Sequence, residues 1–300
     1  MPVLGAVGYQ ANWFEVMQAE FMRNAMLGGA LVAISAGMLG YFVIVRQHAF
    51  AAHALAHIGF PGATGAVLLG LPVTLGLAVF TILGGLAIGV AGKKVADREI
   101  ATGTILGFAT GLGLLFNSLA SKNASAVTNV LFGNLLAIAP DQLVVFAVFT
   151  AGLAVAIAIV ARPLTFASVN PQVAEAKGVP VRLLAVVFMV LLALVITMAV
   201  QVVGTLLLFG LVVTPSATAL AITARPLWVG LIGTAIGLFS VLSGLVLAAM
   251  FNLPPSFFII TVAVAIWGAT LLLTRERHRP ADGGPPSPHV HEHHGEHAAH

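Results

Sequence analysis

Two histidines four residues apart, His53 and His57, stand in the segment RQHAFAAHALAHIGFPGATG, 46–65, of a chain that is otherwise almost wholly apolar. On an α-helix, side chains at i and i+4 leave the same face one turn apart, so two imidazoles can share one metal ion. Holding a coordinating group in hydrocarbon is expensive, which makes such residues markers of function in membrane segments. The competing reading is a pair of packed histidines bonded to backbone carbonyls or to a neighbouring helix. Hydrolysis is disfavoured, because a zinc-protease helix reads H-E-x-x-H with the glutamate as general base, and here Ala54, Leu55 and Ala56 fill the interval.

A second histidine group closes the chain. His289, His291, His293, His294, His297 and His300 lie in the last twelve residues, interleaved with Glu292 and Glu296, after the linker ADGGPPSP. Such a run cannot bury apolar area and is expected to be disordered, while its imidazole density suits divalent metals. Residues 280–300 therefore read as a metal-buffering cytoplasmic tail, with idle low-complexity sequence as the alternative, separate from a membrane domain over 1–279.

The elements that must position His53 and His57 follow from composition. Hydrophobic residues make up 59% of the 300 and charged residues 8%, against roughly 45–50% and 25% in soluble domains. The expected fold is all-α, a polytopic bundle of about eight or nine transmembrane helices, with no room for a sizeable soluble domain. Spans are expected near 25–45, 49–69, 73–91, 100–119, 142–161, 183–203, 204–223, 227–250 and 256–274. Pro61 and Gly62 should break or kink the second, at a place suited to gating. Four-residue glycine spacings, Gly85/Gly89, Gly103/Gly107/Gly111 and Gly233/Gly237, should let helices approach closely, within one protomer or between two. The absence of cysteine excludes disulfides and thiolate sites.

Charge sets orientation. With the C-terminus in the cytoplasm, eleven of the thirteen Lys and Arg residues fall inside and only Arg23 and Lys122 outside, the asymmetry of the positive-inside rule. The sizeable polar connection before the tail, RPLTFASVNPQVAEAKGVPVR, then lies inside. It reads as one short helix with Asn170 as N-cap, Pro171 at the first helical position, Gly178 just past the end and Pro180 blocking continuation. A capped helix outside the bilayer is either a handle for a partner or an ordinary interfacial loop.

At these points the chain resembles the membrane subunit of zinc/manganese-type ABC importers. The arginine-ended first span is followed by AFAAHALAHIGFPG where the family carries D-A-L-S-H and then L-P-G, with His57 at the family histidine and His53 in place of the usual aspartate. VNPQVAEAKGVPV looks like the family's coupling segment, with Glu175, Ala176 and Gly178 in matching places, and GTLLLFGLVVTPSATA is similar to its late proline-containing span. The resemblance implies a non-catalytic permease of a bacterial inner membrane, working with a second copy of itself, two cytoplasmic ATP-binding cassette subunits and an extracytoplasmic metal-binding protein. No resident cofactor is expected; the metal is cargo. Two imidazoles suit zinc better than manganese.

The chain has no G-x-x-x-x-G-K-[ST], and GVAGKK at 89–94 lacks both the spacing and the hydroxyl, so ATP is expected on a partner. The nearest alternative is a manganese or iron permease of similar build. A vitamin or siderophore importer would call for a wide cavity without paired histidines. A secondary transporter would need intramembrane carboxylates for ion coupling, and spans two to nine have no Asp or Glu in their interiors.

Overall fold

Hydrocarbon offers no water to backbone N–H and C=O groups, so an apolar run of membrane length must bond within itself, and here it does so as α-helix. A computed structural model of the chain describes residues 12–91, 95–119 and 132–277. Its elements are α1 Trp13–Gln18, α2 Glu20–Val45, α3 Ala49–Leu69, α4 Val73–Val90, α5 Val95–Leu119, α6 Pro140–Val169, α7 Pro171–Ala176, α8 Val181–Val212, α9 Thr214–Ile222, α10 Pro226–Phe251 and α11 Pro255–Arg277, with a 3-10 turn at Leu135–Ala137. No strand occurs among the described residues. The histidine tail, 280–300, lies outside them.

Eight of these helices, α2 to α6, α8, α10 and α11, are long and apolar enough to cross a membrane. The expected seventh span, 204–223, is a broken one. Gly204, at φ 79° and ψ 169°, kinks α8, and Val213 separates α8 from α9, leaving the short apolar stretch Leu208–Ile222. That backbone region is essentially closed to residues with a Cβ, which is why the kink falls on a glycine.

Of the break or kink expected at Pro61 and Gly62, the break does not occur: α3 runs unbroken from Ala49 to Leu69 with Pro61 inside it. Proline removes only one intrahelical donor, the one to the His57 carbonyl. Close neighbours hold the helix across that gap. Gly62 meets the Gly76 backbone of α4, and a Cβ on Gly113 of α5 would stand 3.2 Å from the Pro61 nitrogen.

The centre of the bundle is α2, α3 and α8, each with 67% of its most apolar window buried, whereas α5, α6 and α11 keep 17%, 17% and 11%. Helix α8 is the seam: it touches α2, α3, α4, α6 and α11. Small residues make these contacts close. Gly85 would place a Cβ 2.9 Å from the Met189 carbonyl of α8, and Gly237 would place one 3.3 Å from the Ala33 side chain of α2. Two of the three expected glycine repeats thus pack within the protomer. Gly103, Gly107 and Gly111 on α5 face open space.

Candidate functional site

Helix α3 is buried almost all round in its N-terminal half, and one stripe is left: Ala49, the exposed Phe50, and the partly exposed His53 and His57. The pattern follows from the sequence, because Ala51, Ala52, Ala54, Leu55, Ala56 and Ile58 supply small or aliphatic surface to α4, α5 and α8 while the two imidazoles cannot. Above His57 the stripe closes. Phe60 is buried, the Thr64 hydroxyl donates to the Phe60 carbonyl at 3.1 Å, and Gly65 packs 3.1 Å from the Phe116 ring of α5, measured from its Cβ position.

The two rings lie 4.8 Å apart between centroids with planes 72° apart. Zn–N bonds of about 2.0–2.1 Å put two nitrogens of one ion about 3.4 Å from each other, within reach of rings so placed. His53 Nδ1 is buried and makes no hydrogen bond. A core histidine normally satisfies that nitrogen, so the packed-histidine reading leaves a cost that a ligand would remove. Among the described residues no cluster of three or more His, Cys, Asp or Glu could hold a metal. The stripe therefore offers two donors where a closed zinc site takes four.

At the end of α6 the exposed segment has the caps its sequence called for. Asn170 Oδ1 accepts the Val173 N–H at 3.1 Å, and Pro171 opens α7. Gly178 is left-handed at φ 80°, with its N–H donating to the Glu175 carbonyl and that of Val179 to the Ala174 carbonyl, both at 3.0 Å. This is the paired closure of a Schellman motif. Only Ala174 is buried; Gln172, Val173, Glu175, Ala176 and Lys177 all face outward.

Residues 18–273 match the ABC 3 transport family. The chain belongs to this family. As a member it is a non-catalytic transport permease, and its polytopic helical fold is that of a membrane protein. The manganese transport system membrane protein MntC of Listeria innocua is 30% identical over 84% of this chain and 90% of its own length. A probable iron transport system membrane protein of Haemophilus influenzae is 28% identical over 89% of this chain and 99% of its own. Among solved structures, PsaBC from Streptococcus pneumoniae in complex with Fab matches with TM-score 0.78 and 27% identity, covering 87% of this chain and 95% of that one.

Two features of this ABC 3 chain escaped the sequence reading. The first is the turn between α2 and α3. Arg46 donates from its NH1 to Ser168 Oγ at 3.1 Å and lies over the Phe188 ring at 5.5 Å, while His48, 3% exposed, donates from Nδ1 to the Arg46 carbonyl at 2.7 Å. Burial, then Arg98 and Arg46, push the His48 imidazole down to about 3 despite that hydrogen bond, so it stays neutral. His48 sits five residues before His53, off the shared face, and spacing alone gave no reason to notice it. The second is a polar ladder between α4 and α8. Thr74 donates to Gln201 Oε1 at 2.9 Å, Gln201 Nε2 donates to the Thr197 carbonyl at 3.0 Å, and the Thr197 and Thr81 hydroxyls meet at 2.6 Å. A glutamine inside an apolar span was the available signal.

Proposed function

We propose that this permease imports a divalent transition metal across the cytoplasmic membrane, with His53 and His57 as transient ligands. The observation that carries the reading is the half-open stripe of α3, where two adjacent imidazoles include a buried nitrogen without a partner. Two donors are too few, so a second copy of the chain supplies the rest, and the conducting path runs between the copies. An ion bound by four fixed ligands would not leave; ligands divided between two moving bodies can part.

The Lys and Arg distribution supports an inward-facing Asn170–Gly178 end and, with the broken stretch 204–223 as a return crossing, a cytoplasmic C-terminus. The capped α7 supports docking of two ATP-binding cassette subunits there. An extracytoplasmic metal-binding protein would deliver the ion at the opposite mouth. Pro61, by freeing the His57 carbonyl from its helical donor, softens α3 just above the ligands, which suits a moving gate.

Zinc is the cargo that a pair of imidazoles favours. Manganese is the second reading, and the likeness to the manganese transport system membrane protein MntC of Listeria innocua supports it. Uptake of zinc and of manganese by the complex reconstituted in vesicles tests both. Loss of uptake in His53→Ala/His57→Ala, with assembly retained, is expected; full zinc and manganese transport by that variant would leave the pair as core histidines.

A further inference from the structure

We propose that Arg46 is the positioning residue that transmits movement of the coupling segment to the histidine-bearing helix. The proposal rests on the reading of α7 as the ATPase handle. The exposed segment has two attachments to the bundle, the end of α6 and the start of α8, and both grip one guanidinium. Ser168, two residues before the Asn170 cap, accepts Arg46 NH1 at 3.1 Å while donating its own proton to the Leu164 carbonyl at 2.6 Å. Phe188 of α8 lies under the same guanidinium at 5.5 Å.

From Arg46 to α3 there is no slack. The Gln47 N–H donates to the Ile44 carbonyl at 3.0 Å and the His48 N–H to the Val43 carbonyl at 2.8 Å, the Schellman pair, with Gln47 in the left-handed region at φ 55° where glycine is usual. His48 is pinned by its bond to the Arg46 carbonyl and by edge contact with Phe188 at 5.3 Å between centroids. Its own carbonyl accepts the Ala52 N–H at 2.8 Å, the first turn of α3. At 1.5 Å per residue, His53 and His57 stand about 6 and 12 Å beyond Ala49, the first residue of α3. A shift of Ser168 and Phe188 therefore reaches the ligands through a rigid turn.

Burying this arginine is costly despite its contacts with Ser168 and Phe188. Arg46 Nε is buried without a partner, and among the described residues no carboxylate meets the guanidinium. An apolar side chain would avoid that penalty.

The test uses the whole complex in vesicles, reading metal transported per ATP hydrolysed. Ser168→Ala and Arg46→Met should each lower that ratio about tenfold, the worth of one hydrogen bond to a charged group, with ATPase subunits retained. The double variant should be no worse than Arg46→Met, and Arg46→Lys should recover part. Spin labels on Phe50→Cys and Gln172→Cys, in a chain without native cysteine, report α3 and α7 separately. Nucleotide should move both in the native background and only position 172 in Arg46→Met. Additive losses, an unchanged ratio, or position 50 still following in Arg46→Met would overturn the proposal. If Arg46→Met fails to insert, Ser168→Ala decides alone. If position 172 does not respond in the native background, the handle reading falls, and the role of Arg46 with it.

Discussion

At the scale of single residues, the proposed metal path depends on how two nitrogens are kept available. His53 replaces the carboxylate of the family pattern, so His53→Asp should restore an oxygen donor and move preference from zinc toward manganese; competition between the two ions for uptake measures it. His48 makes the opposite use of burial. Its pKa of about 3 lies below the roughly 6.5 of a free imidazole, so an opened turn takes up a proton that the closed turn refuses. The turn is then fully stable above about pH 6.5 and loses stability as pH falls from there toward 3. The protection of the Gln47 and His48 amides from hydrogen exchange, corrected for the intrinsic slowing of exchange in acid, should fall on acidification from pH 7 to 5, and His48→Gln should remove that fall.

At the scale of elements, the caps are where sequence and structure agree most closely, and the kinks are where they part. Gly178 has nothing within 4 Å of a Cβ position but sits at φ 80°, so Gly178→Val meets backbone strain without a clash, roughly 1–2 kcal/mol. Weaker retention of ATPase subunits with normal membrane insertion is the expected result, read by co-purification. Gly204→Ala should be more damaging, because ψ of 169° at positive φ is closed to alanine and Gly133 packs directly on that backbone. Thermal stability of the purified chain would show it. Helix ends were legible because Asn170, Pro171 and Gly178 act locally. Pro61 does not end α3 because a proline inside a helix is tolerated where neighbours close the gap, and neighbours are not written in the segment itself. Gly204 stood only as the first residue of the expected seventh span, since φ is not visible in an apolar run.

For the whole molecule, the spans were legible from hydropathy, and eight of the nine emerged as helices of membrane length. What pattern could not supply was α8 as the seam and Arg46 as its fastening, both of which depend on contacts more than a hundred residues apart. Orientation is testable with single cysteines: an impermeant reagent should label Lys122→Cys from outside and Gln172→Cys only from inside. Deleting 280–300 should spare uptake at ample metal and alter it only at scarcity or excess.

Helix α6 has 30 residues, about 45 Å of rise, against a hydrocarbon layer of about 30 Å. It must lean or stand proud of the lipid, and Ser168 is at its far end. The lean of such a helix follows bilayer thickness. Lipid tail length would thereby shift the point where Arg46 is held, and the same protein would run at different efficiency per ATP in thin and thick membranes.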